Sequence, residues 1–233
     1  HSYEGGASGG TLETMFSMGE LDLGDDLTNP FLLNPEDSYS NEQKQLSGDR
    51  VGISKKPEIK AWSGPFIMAT ANTRVVRRSE ALLALRQESY GSNFTYQEHA
   101  YHKSWLSAVS SLLLTGLSVL VLLSPLKRLV KPFLPKPGEG PSEAVQENGW
   151  FDCKFIAESE DGTKSVFNMH GKGDPGYKVT SKLVSECALC LIEDIEELPG
   201  GRGYGGVLTS ASGLGHSLIS RLTKAGIDFK GPL

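Results

Sequence analysis

The chain has 233 residues, 38% of them apolar and 22% charged, and 28 acidic side chains against 23 basic ones give a formal net charge of −5. That sign excludes a protein built to coat nucleic acid, which needs a basic face. The length allows one large domain or two small ones, and the three cysteines suit a reducing compartment where thiols stay free.

The opening HSYEGGASGG reads as the end of a strand running into a glycine-rich turn, and Thr11 is expected to cap a short helix, TLETMFSMGE. Gly5, Gly6, Gly9 and Gly10 ahead of a helix start suit either an anion on free amides or a tight turn needing positive φ. Because the first residue is His1 and not Met, the natural N-terminus is expected upstream. Residues 20–60 are acidic and proline-punctuated without an apolar period, which predicts a flexible surface loop.

Residues 61–104 are expected to give a helix and a strand. The helix is placed from Pro65 to about Leu85, with Ala71, Val75, Leu82 and Val76, Leu83 at helical spacing. Arg74, Arg77 and Arg78 stand at i, i+3 and i+4 and so share a face. Forked donors on one face suit a phosphate or carboxylate, although charge runs commonly mark a solvated face. NFTYQEHAYH then alternates as a strand does.

Residues 105–123, WLSAVSSLLLTGLSVLVLL, carry no charge and match a bilayer core in length, with Trp105 at one edge and Lys127, Arg128, Lys131 and Lys136 beyond the other. A full crossing would put residues 1–104 and 124–233 on opposite sides of the membrane, incompatible with one fold. In-plane or re-entrant lipid contact is therefore preferred, and a buried core helix is the alternative. The segment 105–137 is read as this hydrophobic insertion.

Beyond residue 138 the pattern is orderly. WFDCKFIAES and KSVFNMH form a hairpin around Glu160–Thr163, with Phe151, Cys153, Phe155 and Ala157 on its inner face. Thr180, Leu183, Val184, Cys187, Ala188 and Leu191 make an amphipathic helical stripe. Val207–Leu208 read as a short strand, Ala211 to Ala225 as a last helix capped by Gly226, and Ile227–Phe229 as extended. The expected class is α/β, an α+β substrate domain with helices covering a mixed sheet and no Rossmann domain of its own.

Motif chemistry is sparse. Cys187-Ala-Leu-Cys190 lies within the helical stripe with no second pair or zinc-spaced histidine, so packing is its expected role, and no metal site is predicted. Gly201–Gly206 satisfies GxGxxG, but it follows Leu198-Pro199 and precedes a predicted strand, the wrong context for a dinucleotide turn. No catalytic residue is assigned.

Four stretches carry a resemblance: GPFIMATANTRVVRRS (64–79), PKPGEGPSEAVQENGWF (135–151), GKGDPGYKVTSKLVSECALCLIED (171–194) and GGVLTSASGLGHSLISRLTKAGIDF (205–229). Together they resemble the C-terminal half of saccharopine-dehydrogenase-like oxidoreductases, a family that includes bacterial trans-acting enoyl reductases and animal lipid-droplet proteins. GGASGGTLETM resembles the segment after that family's cofactor domain, so residues 1–19 are assigned there. The resemblance implies an upstream Rossmann domain binding NAD(P), with this chain as the substrate domain and no cofactor-binding residue in it. It also implies a hydrophobic, lipid-like substrate, a membrane or lipid-droplet location and a possible homodimer. A non-catalytic lipid-surface protein retaining the fold is the alternative. Arg74, Arg77, Arg78, Asp174, Tyr177 and Thr180 are the candidate ligand-facing residues, with helix capping by Asp174 and packing of Tyr177 as their structural counterpart.

Overall fold

The structure, a computed structural model, describes residues 1–6, 9–18, 29–50, 52–91, 93–136 and 138–231. The α/β class holds, but the strands form two antiparallel sheets and not the expected mixed one, since every pairing among the described residues is antiparallel; helices pack against them. In the larger sheet the order is β1 (Ser2–Glu4), β5 (Trp150–Glu158), β6 (Lys164–Lys172), β7 (Asp228–Lys230). The smaller sheet is β2 (Ser54–Lys56), β3 (Ala61–Gly64), β4 (Ala100–His102).

The hairpin forms as its alternation predicts, with Trp150 opposite Lys172 and Glu158 opposite Lys164. Gly162 at φ 83° makes the turn that other residues take only under strain. Its core end is covered by α7 (Lys178–Glu193) and α8 (Ser210–Lys224). Phe151, Val179, Cys190, Leu198, Leu214, Leu218, Leu222 and Ile227 form the main core. The far end projects, so Phe155 and its cross-strand partner Phe167 remain exposed.

Two helical faces differ from expectation. On α7 the buried residues are Val179 and Cys190, with Leu183 and Cys187 half-buried beside them, while Thr180, Val184 and Leu191 face outward. The apolar stripe is wider than the contact with α8, and the covered strip starts one residue earlier. α3 (Ala69–Ala84) starts four residues after Pro65 and buries Thr73, Arg74, Arg77, Ser79, Ala81 and Leu83, leaving Val75 exposed.

Other boundaries shift for local reasons. α1 (Gly9–Met18) begins before Thr11, so Thr11 lies within the helix and is not its cap. The expected loop contains α2 (Asn41–Leu46), closed by a Ser40–Gln43 capping box, and β2. Within it Phe31 is buried and stacked on Tyr39 at 4.2 Å, while residues 19–28 lie outside the described residues. NFTYQEHAYH contributes only Ala100–His102 as strand. Val207–Leu208 form no strand, because Thr209 caps α8 directly after them through its bond with Ser212.

β1 ties the two sheets together. The main-chain nitrogen of His1 donates to His99 O at 2.7 Å, and Tyr101 N donates to His1 O at 2.9 Å. α4 (Trp105–Leu123) has the predicted ends, with the Ser104 hydroxyl accepting from Ser107 N. It rests on β3 through Ala108, which is fully buried beside Gly64. Leu106, Leu113, Leu114 and Leu117 are 57–72% exposed, so residues of this chain do not cover that face. Side chains are described from Trp105 to Val121, about 26 Å of helix at 1.5 Å per residue. Among the described residues no helix is long and apolar enough to cross a membrane.

After α4 the chain passes through α5 (Lys127–Val130) and α6 (Glu143–Asn148) and enters β5. This path brings the PGEGPSE stretch beside the glycine turn, where Gly9 N donates to Glu139 O at 3.0 Å.

Candidate functional site

Where β1 and β5 meet the start of α7, a cavity of about 560 Å³ opens, walled by Phe66, Ile67, Met68 and Phe151 and rimmed by Tyr177 and Thr180. Its size and largely apolar wall are those of a small-molecule site. A second cavity of about 610 Å³ between α7 and α8 is lined by Glu186, Glu193, Asp194 and Arg221. Those groups are already paired with one another, Arg221 Nη2 to Glu193 at 2.6 Å and to Asp194 at 2.9 Å. The apolar cavity is the better ligand site.

Asp174 builds its edge. The carboxylate is 0% exposed and accepts from Gly6 N at 2.9 Å and Tyr177 N at 2.8 Å, while its carbonyl accepts from Val179 N at 3.0 Å. It therefore holds the turn entering α7 and pins the glycine turn of β1 to it. It is not the helix cap expected of it, because the helix starts at Lys178, beyond Pro175, and Tyr177 occupies the N-cap position without a side-chain bond. The approach is so close that a Cβ on Gly5 would lie 2.0 Å from Asp174 Oδ1, so only glycine fits. Thr180 donates its hydroxyl to Pro175 O at 2.6 Å, and Tyr177 presents a half-exposed ring. GDPGY and the Thr180 that follows it thus place three of the predicted residues at one cavity.

The arginines lie elsewhere and do not converge. Arg77 is buried and donates to Pro30 O and Tyr96 O, both at 2.9 Å, with its guanidinium 5.7 Å from the Phe31 ring. Burial and the neighbouring Arg74 bring its pKa down to about 10. Arg74 pairs with Asp49 at 2.6 Å, and Arg78 donates to Leu33 O and, at 2.7 Å, to Val207 O. Arg77 and Arg78 both fasten the Pro30–Leu33 segment to α3 and each reaches a second segment, while Arg74 holds Asp49.

Two of the cavity's lining residues, His1 and Cys153, belong with Glu98 behind them to a group that sequence reading does not bring together. His1 Nδ1 is 3.0 Å from Cys153 Sγ, and His1 Nε2 is 3.4 Å from Glu98 Oε2. The imidazole stacks on Phe66 at 4.5 Å. Glu98 is buried and also accepts from Asn72 at 2.9 Å and Tyr96 OH at 3.0 Å. Burial opposes a charge on His1, but the hydrogen bonds to Cys153 and Glu98 outweigh it and push its pKa up to about 9. The period-two alternation of β5 is the one signal that could have found it, since it puts Cys153 on the same face as Phe151.

The other motifs are structural. Cys190 is fully buried and Cys187 half-buried, and burial raises both thiols, Cys190 to about 11. A dinucleotide needs free amides at a helix start after a strand and a glycine turn. Gly9 N, at the start of α1, is spent on Glu139 O, and a Cβ on Gly9 would meet Lys136 O at 1.9 Å. Gly200, Gly201 and Gly206 adopt positive φ in a loop separated from α8 by Val207–Thr209. Neither glycine turn offers the free amides at a helix start that a dinucleotide turn needs.

A Mycobacterium tuberculosis protein provisionally named a trans-acting enoyl reductase is 36% identical over 247 aligned positions, covering 98% of this chain and 57% of that protein. The chain is a homologue of proteins named trans-acting enoyl reductase. Others so named, from Mycobacterium leprae (34% identical over 185 positions) and Mycobacterium bovis (33% over 187), each match 76% of this chain and 43% of their own length. Its homologues are thus oxidoreductases by name, and the chain spans about half the length of the curated relatives it matches. No family model and no solved structure matches it.

Proposed function

We propose that this chain is the substrate-binding, C-terminal part of an NAD(P)-dependent enoyl reductase of the saccharopine-dehydrogenase-like type, and that its cavity takes the hydrocarbon part of a lipid-like acyl substrate. The observation carrying this reading is an apolar cavity of about 560 Å³ in a homologue of proteins named enoyl reductase. Phe66, Ile67, Met68 and Phe151 offer the substrate contact that gains from leaving water, and Tyr177 and Thr180 offer polar atoms at the mouth. The dinucleotide is assigned to a part of the longer protein outside these residues.

The exposed leucines of α4 support attachment in the plane of a membrane or lipid-droplet surface, with Trp105 at one end and Arg128 and Lys131 beyond the other. A homodimer through the same face is the competing way to cover it. The helix also supports a second reading, a lipid-surface protein that keeps the fold without catalysis.

The test is NADPH oxidation by the full-length protein with a medium-chain trans-2-enoyl thioester. The reading expects substrate-dependent oxidation that falls at least tenfold in Met68→Glu, which puts a charge in the apolar wall. No oxidation, together with flotation on liposomes that Leu113→Glu and Leu117→Glu abolish, would favour the second reading.

A further inference from the structure

We infer that Cys153 is an acyl-accepting nucleophile, with His1 as its proton carrier and Glu98 as the group that positions His1. The inference rests on reading the cavity as an acyl site. The three side chains are arranged in series: sulfur on one ring nitrogen, carboxylate on the other, at 3.0 and 3.4 Å. That is the order of nucleophile, base and orienting group in covalent catalysis. It is not a metal cage, because the donors sit at opposite ends of one imidazole and share no common centre. Among the described residues no histidine, cysteine and carboxylate group is disposed to hold a metal ion.

Each part of the relay is held in place. The main chain of His1 is fixed by His99 and Tyr101, its ring by Phe66, and Glu98 by Asn72 and Tyr96. Both His1 and Cys153 line the same apolar cavity as Phe66 and Met68, so an acyl chain held there has Sγ within the same cavity. The preference of His1 for its charged form agrees with a proton held between these partners.

In the reaction, the proton shared by Sγ and Nδ1 resides on His1 while Sγ attacks the carbonyl carbon of an acyl thioester. The carbonyl π pair moves to oxygen and returns as the bond to the carrier sulfur breaks. His1 then gives its proton to that departing sulfur. A thioester is exchanged for a thioester, with no oxidant or reductant.

The experiment is incubation of the full chain with octanoyl-coenzyme A, followed by intact mass and peptide mapping. One hydroxylamine-labile octanoyl group is expected on Cys153, with Cys187 and Cys190 unmodified. His1→Gln should slow acylation at least tenfold. Glu98→Gln should slow it less and move its pH profile, a change that mere destabilisation would not produce. Cys153→Ser, a near-isosteric change, is titrated in parallel with the fluorescent fatty acid cis-parinarate. Parinarate binding without acylation of the wild type overturns the acyl transfer and leaves the cavity reading standing. Acylation that ignores His1→Gln, or that spreads to Cys187, also overturns it. Neither binding nor acylation overturns both.

Discussion

Replacing Asp174 with alanine should loosen the cavity edge and cost the fold about 3 kcal/mol. The carboxylate is 0% exposed and accepts from two backbone amides, Gly6 N at 2.9 Å and Tyr177 N at 2.8 Å. A hydrogen bond to a charged acceptor contributes about 1.5–3 kcal/mol, and a buried amide left without a partner costs about 1–3 kcal/mol. Partial entry of water into the vacated space brings two such losses to about 3 kcal/mol in total. Against a typical stability of about 5–15 kcal/mol, that is a large fraction, and it should lower the melting temperature by roughly 6–12 °C for a chain of this size. Urea denaturation followed by tryptophan fluorescence reads the change directly. Parinarate affinity should drop with it, because the glycine turn of β1 and the start of α7 lose their common anchor. A loss below about 1 kcal/mol at unchanged m-value would refute the claim that this carboxylate holds the two segments together.

Other predictions follow from the same contacts. Gly5→Ala should destabilise in the same assay, since its Cβ would fall 2.0 Å from Asp174 Oδ1. Arg77→Met should cost about 2–4 kcal/mol by stranding one buried and one half-buried carbonyl acceptor, yet leave parinarate affinity within twofold. A phosphate-dependent rise in wild-type melting temperature that Arg77→Met removes would contradict its structural role. The folded pKa of His1 is raised from 6.5 to about 9, so its contribution to stability is full below 6.5 and is lost as pH rises through about 9. NMR titration of the His1 ring should show a midpoint near 9, and a midpoint near 6.5 would contradict the relay. Asp194 is held below its usual value of 3.8 by its hydrogen bond to Arg221. The stabilisation it gives is present above that value and fades as pH falls through the lower folded value. Arg221→Met should therefore flatten the acid limb of the stability profile.

The parts of the fold that sequence reveals are those written locally. The uncharged run set α4 at Trp105–Leu123, and strand alternation around Gly162 set the hairpin. Gly226, at φ 88°, set the exit from α8. The GDPGY stretch and the residues just after it pointed to Asp174, Tyr177 and Thr180, all of which line one cavity. What stayed hidden depends on partners distant in the chain. Nothing local to α3 tells that the carbonyls of Pro30, Tyr96 and Val207 will receive its arginines, so a buried structural face reads as an anion-binding or solvated one. His1, Glu98 and Cys153 meet only because β1 bridges β4 and β5, a pairing that no spacing rule encodes.

Photo-crosslinking with a diazirine-bearing fatty acyl probe tests the central claim most directly, because the protein has two competing apolar surfaces, the cavity and the face of α4. The account predicts saturable crosslinks in the peptides carrying Phe66–Met68 and Tyr177–Thr180, competed by unlabelled acyl chain and lost in Met68→Glu. Crosslinks confined to residues 105–121, or unaffected by competitor, would contradict it and leave α4 as the lipid-binding element.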